Sequence, residues 1–163
     1  MRLSTIVNKL ARSPYALGQR APHALALRVR LNETDALGVV YYANYFVYFD
    51  LARTELLRGL GLGPQQLELS GLRFLAAEAR CRYLAPVGPD EELVVETWLK
   101  RIGRTSITYR HRVKRSGGKR VAEGEVRDVL ADKAGRPVPL PQAWVEKLKP
   151  YLRGEDGDGE AGR

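Results

Sequence analysis

After a single long helical stretch, four strand-like segments follow one another at about 74–85, 91–101, 105–115 and 120–131, with only short links between them. No other feature of the sequence restricts the fold as strongly. The links carry Pro86, Gly88 and Pro89, then Ile102 and Gly103, then Ser116, Gly117 and Gly118, residues that punctuate turns. Short links favour antiparallel neighbours, so a four-strand antiparallel meander is expected. Upstream, Leu25, Leu27, Val29 and Leu31 alternate with Ala26, Arg28, Arg30 and Asn32, the period of a half-buried strand. Between the two, Asn44 is placed to cap a helix running to about Leu60, with Gly59, Gly61, Gly63 and Pro64 stopping it. Phe46, Phe49, Leu56, Leu57 and Leu60 form its apolar face, and Ala52 keeps it slim. A last helical segment over 140–152 opens with Pro141 and aligns Trp144, Val145, Leu148 and Leu152. The pattern is α+β: five strands in one sheet that must bury the face of the central helix.

The 163 residues suit one domain that buries roughly two-thirds of its unfolded surface. Its expected limits are 23–152, after an N-terminal arm and linker over 1–22 and before an acidic, disordered tail over 153–163. In the arm, Leu3, Ile6, Val7 and Leu10 are spaced helically ahead of the breakers between Pro14 and Pro22. One cysteine, Cys81, excludes an internal disulfide, and two histidines, His23 and His111, argue against a metal site. No apolar run approaches the ~20 residues of a membrane span, and Asn8 and Lys9 interrupt the N-terminal one, so a cytoplasmic protein is expected. Setting the tail aside leaves 25 basic against 15 acidic residues, or +10. Such a surface attracts polyanions, and both nucleic acid and the phosphates of coenzyme A qualify.

The segment T34-D-A-L-G-V-V-Y-Y-A-N-Y45 sets Asp35 just after a strand, Gly38 three residues on, and a helix start beyond. Backbone N–H groups in a helix's first turn lack intrahelical partners and sit at the positive end of its dipole, so they can bind an oxyanion. Gly38 permits close backbone approach. Read locally, the same Asp35 is simply a turn or helix cap. Asp50, Arg53 and Glu55 share the helix at spacings that favour an Asp50–Arg53 ion pair. His111 has the strand parity of Ile107, Tyr109 and Val113, and Cys81 that of Ala77, Ala79 and Tyr83, so a packed imidazole and a packed thiol are expected.

The stretch V29-R-L-N-E-T-D-A-L-G-V-V-Y-Y-A-N-Y-F-V-Y-F-D-L-A-R-T-E55 closely resembles the signature of the 4-hydroxybenzoyl-CoA thioesterase family of hotdog proteins. The resemblance continues through R80-C-R-Y-L-A-P-V87, E96-T-W-L-K-R-I-G-R-T-S106, A122-E-G-E-V126 and G135-R-P-V-P-L-P141. It implies a hotdog fold, an antiparallel five-stranded sheet wrapped around a long central helix. It also implies an acyl-CoA thioesterase that needs no cofactor or metal, coenzyme A being part of the substrate. Asp35 would act as nucleophile or general base, the Tyr42 backbone amide would polarise the thioester carbonyl, and Gly38 would belong to the same loop. Read from the residues themselves, Tyr41, Tyr42, Tyr45 and Tyr48 either line an acyl pocket or pack the sheet against the helix, and Arg101, Arg104, Arg112, Lys114, Arg115, Lys119 and Arg120, around two strand connections, either meet the 3'-phosphate and pyrophosphate of coenzyme A or form a solvated basic face. A homodimer or homotetramer is implied, with the site between subunits and no nucleic acid partner. The branch of Tol-Pal-associated acyl-CoA thioesterases usually has histidine in place of Tyr42 and glutamate in place of Asp50, departures that leave the acyl group open. Two other classes remain: a hotdog hydratase or dehydratase, and a non-catalytic module binding acyl-CoA or nucleic acid.

Overall fold

A computed structural model describes residues 21–154 of the chain, so most of the N-terminal arm and of the acidic tail lie outside the described residues. The strands are β1 (His23–Arg28), β2 (Arg73–Tyr83), β3 (Glu92–Ile102), β4 (Ser106–Arg115) and β5 (Arg120–Ala131), in one antiparallel sheet of order β1-β3-β4-β5-β2. The helices among the described residues are α1 (Asn44–Gly59), α2 (Pro64–Ser70) and α3 (Gln142–Leu148), with 3-10 turns at Leu31–Glu33 and Lys149–Tyr151. The α+β class is the expected one.

The side chains on one face of the strands build the core, and β3 is buried on both faces from Leu93 to Leu99. Leu93, Val95 and Leu99 on β3, Ile107, Tyr109, His111 and Val113 on β4, and Ala122, Val126 and Leu130 on β5 are buried. They face the buried side of α1: Tyr45, Tyr48, Phe49, Ala52, Leu56 and Leu57. Gly124 on β5 is a close approach of sheet to helix, because a β-carbon there would stand 2.2 Å from Cε2 of Phe49. Phe49 in turn stacks on His111, ring centroids 4.6 Å apart and planes 10° from parallel. Burying a side chain of this size contributes about 1.5–3 kcal/mol. Arg53 binds Asp50 one turn back on α1 and reaches across to the fully buried Asp128 of β5, so the expected i,i+3 pair is half of a larger clamp between helix and sheet.

Several expectations change. The last four strands are not a simple meander: β3, β4 and β5 are, but β2 pairs with β5 at the far edge. The β2–β3 link therefore crosses the end of the sheet, and the eight residues from 84 to 91 are long enough to do so. The stretch from Gly59 to Pro64 stops α1 but also starts α2, since Pro64 occupies the first turn of that helix, where its missing N–H costs nothing. Asn44 is the first residue of α1 rather than its cap; Ala43 takes that place, and the Asn44 side chain donates to the Glu33 carbonyl at 2.7 Å instead. The final helix divides into α3 and a 3-10 turn at Pro150. The register of β2 slips between Ala76 and Glu78, so Ala77 leaves the face that Ala79, Cys81 and Tyr83 share.

Candidate active site

The loop from β1 to α1 folds on itself before it reaches the helix. The Asp35 N–H donates to the Val39 carbonyl at 2.9 Å, and the Gly38 N–H donates to the Asp35 carbonyl at 3.0 Å. Gly38 has φ +74°, a left-handed conformation that glycine adopts without cost. One carboxylate oxygen of Asp35 accepts from the Leu37 N–H at 2.8 Å. Asp35 is thus a turn-forming aspartate, as a local reading expects.

Two further anchors aim this loop. The Val40 N–H donates to the Val87 carbonyl at 2.8 Å, which ties the loop to the β2–β3 crossover, and the Tyr41 N–H donates to the Glu33 carbonyl at 2.9 Å. The Glu33 carboxylate holds the Arg30 N–H and the Tyr48 hydroxyl. The crossover is clamped from below: Glu91 accepts from Arg115 at 2.6 Å and from the Gly88 N–H at 2.8 Å, and Arg115 also donates to the Pro86 carbonyl. These bonds, the Arg115 one first, hold the Glu91 carboxyl below its usual range. Arg115, one of the cations of the β3–β5 region, has a structural duty here.

Loop and crossover together border a groove of about 380 Å³ lined by Asp35, Val40, Tyr42, Tyr45, Tyr83 and Val87. Tyr42 has an unusual pattern of bonds. Its N–H meets no acceptor among the described residues. The carbonyl of the same peptide, that of Tyr41, accepts from the Asn44 N–H at 2.9 Å. In a trans peptide the two groups point in opposite directions, so the Tyr42 N–H points away from the body of α1, at the positive end of the helix. Asp35, which is half-buried, and Tyr42, whose amide is open among the described residues, therefore line one groove, a pairing of groups suited to attacking a carbonyl and stabilising the oxyanion that forms.

Tyr45 is buried, and burial pushes its phenol up to about 12. Tyr41 lies beside Tyr42, ring centroids 4.6 Å apart. Burial also pushes the Cys81 thiol up to about 11, which makes it a poor nucleophile. His111 is fully enclosed, its Nδ1 2.9 Å from the Thr97 hydroxyl, and burial holds it neutral with a pKa of about 3. The protomer does not bring Arg101 and Arg104 to this groove. They lie at the β3–β4 turn, and the length of β3 sets them roughly 30 Å away. Sequence reading overlooked Tyr83, whose parity with Cys81 on β2 was the available signal. No cluster of three His, Cys, Asp or Glu side chains suited to a metal ion occurs among the described residues.

Comparison with known proteins places this geometry in context. The sequence model described as "Thioesterase superfamily" matches residues 37–122, beginning two residues after Asp35. The acyl-CoA thioester hydrolase YbgC of Escherichia coli O6:H1 is 32% identical over 124 residues, covering 76% of this chain and 92% of that protein. Among solved structures, a hypothetical protein from Aquifex aeolicus superposes with a TM-score of 0.74 at 31% identity, covering 78% of this chain and 99% of that one. A gentisyl-coenzyme A thioesterase superposes with a TM-score of 0.70 at 26% identity, covering 75% and 98%.

Proposed function

The chain belongs to the thioesterase superfamily, and on that premise we propose that it hydrolyses an acyl-CoA thioester to the free acid and coenzyme A at the Asp35 groove. The observation that carries the reading is the groove that Asp35 and Tyr42 both line, with the Tyr42 N–H unpaired among the described residues. A thioester already has a good leaving group, so positioned attack and a stabilised oxyanion suffice. By one route Asp35 takes a proton from water as the water oxygen bonds to the carbonyl carbon. By the other its own oxygen makes that bond and an anhydride forms, which water then opens. Either way the carbonyl π electrons move onto oxygen opposite the Tyr42 amide. The C–S bond then breaks, and the thiolate leaves to take up a proton.

Tyr45 supplies aromatic surface for the acyl group, whereas the expected Tyr41 is not among the residues that line the groove, and Gly38 lets the loop fold tightly enough to present Asp35. β2 is an edge strand of 11 residues with one side unpaired among the described residues, which suits pairing with a second copy into a homodimer, as a step toward a tetramer. A two-fold axis at Ala79 would set Glu78 of each copy opposite Arg80 of the other, a favourable charge match. Arg101 and Arg104 then serve coenzyme A only from a neighbouring subunit. Cytoplasmic acyl-CoA is the substrate pool this reading requires.

Free-thiol release from a panel of aliphatic and aromatic acyl-CoAs, with Asp35→Asn in parallel, tests the proposal. Activity on a panel member that falls about 100-fold or more in the variant is expected. Activity that survives in Asp35→Asn rules the assignment out.

A further inference from the structure

Tyr42 differs from its neighbours at the start of α1 in how its carbonyl is satisfied. The Tyr41 carbonyl accepts from the Asn44 N–H and the Ala43 carbonyl from the Phe46 N–H. Among the described residues the donor to the Tyr42 carbonyl is instead a side chain from the sheet, the Tyr83 hydroxyl at 2.9 Å. Tyr83 is the last residue of β2, and its ring meets that of Tyr45 edge-on with centroids 5.3 Å apart. One face of the phenol is thereby packed, while its hydroxyl holds the helix start to the edge strand.

From this we infer that Tyr83 is a positioning residue for the reaction, fixing through the Tyr42 carbonyl the direction in which the Tyr42 N–H is presented to the groove. The inference rests on the proposed thioesterase site. The peptide that carries the N–H is held on one side by the Tyr41 carbonyl bond and the next peptide by Tyr83. With both peptides bonded, rotation about the Tyr42 backbone is restricted, and the amide needs no reorganisation when charge develops on the substrate oxygen. Loss of the hydroxyl removes the second restraint and leaves a carbonyl that must find water. Because the amide serves the transition state more than the ground state, the loss falls on kcat rather than KM.

The test is Tyr83→Phe in the full chain, which keeps the ring against Tyr45 and deletes one oxygen. Thiol release is followed on an acyl-CoA that the natural protein turns over, beside Asp35→Asn and with the melting midpoint of each variant. The expected result is a kcat lower by roughly tenfold, with KM and the melting midpoint little changed. In a Tyr42→Pro background, which has no amide left to orient, Tyr83→Phe is expected to cost nothing further. The inference is overturned if Tyr83→Phe keeps full kcat while Asp35→Asn is dead, if the defect is confined to KM or to stability, or if it persists undiminished in the Tyr42→Pro background. Activity retained by Asp35→Asn is a separate outcome that removes the site itself, and this inference with it.

Discussion

Gly124→Ala is the smallest change that should disturb the seat of the central helix. A β-carbon at Gly124 lies 2.2 Å from Cε2, 2.3 Å from Cζ and 2.9 Å from Cδ2 of Phe49. Carbon atoms rest about 3.5–4.0 Å apart, so the ring must recede by more than ~1 Å. It has little room, because His111 stacks on it at 4.6 Å and Phe46 meets it edge-on at 5.9 Å. Either α1 lifts from β5, an overpacking strain of about 1–3 kcal/mol, or the ring leaves its site, which forfeits about 3–5 kcal/mol. Replacing a strand glycine returns roughly 0.5–1 kcal/mol of chain entropy, and the cheaper response decides, so a net loss of about 1–2 kcal/mol is expected. For a chain of this size, at about 2–4 °C per kcal/mol, the melting midpoint should fall by about 2–8 °C. Thermal unfolding followed by circular dichroism reads this directly, and the double variant with Phe49→Leu supplies the control. With the ring gone, Gly124→Ala should cost at least ~1 kcal/mol less. A midpoint within about 1 °C of the natural protein, or an equal cost in both backgrounds, would refute this account of the helix–sheet contact.

Two other outcomes are expected from the described groups. His111 is neutral when folded, burial lowering its pKa to about 3 against about 6.5 when unfolded. Below about pH 6.5 the unfolded chain binds the proton more readily, so stability should drop by up to about 1.4 kcal/mol per pH unit as pH falls toward 3. Midpoints measured from pH 7 to 4 should show that slope flattened in His111→Gln, and an unchanged slope contradicts it. At the site, Tyr42→Ala keeps the backbone N–H and should retain most of kcat, whereas Tyr42→Pro removes it and should cost about 10²–10³-fold; steady-state thiol release with equal losses in both would point to the phenol instead.

Much of the scaffold was legible because burial writes its own period into the residues. Ile107, Tyr109, His111 and Val113 recur at every second position of β4 and are buried as expected. Connectivity was less legible, since a short Pro- and Gly-containing link reads the same whether it turns a hairpin or crosses the end of a sheet. Only the pairing of β2 with β5 and of β1 with β3 separates those cases, and both are long-range contacts with no local signature. Pro64 misled for a related reason: the residue that cannot continue one helix is well suited to begin another. Ala77 was misassigned because a one-residue slip in register inverts the parity of the residues on one side of it relative to the other.

Asp35 had to be recognised by resemblance, because its local chemistry is that of an ordinary turn. It caps the Leu37 N–H as a turn-forming aspartate does, and nothing in that bond distinguishes a structural carboxylate from a reactive one. The distinction lies in the partner across the groove, and that partner is a backbone amide. Every residue except proline carries such an amide, so the identity of residue 42 says little about the donor. This also accounts for how tyrosine can stand where the Tol-Pal-associated branch has histidine without removing the proposed oxyanion contact. The side chains that hold the amide in place are the ones a sequence can reveal. In this chain they are Asn44, whose side chain donates to the Glu33 carbonyl beneath the loop, and Tyr83 on the edge strand, 39 residues apart in the sequence. A search for the site in related chains is therefore better directed at the pairing of positions 35 and 83 than at position 42.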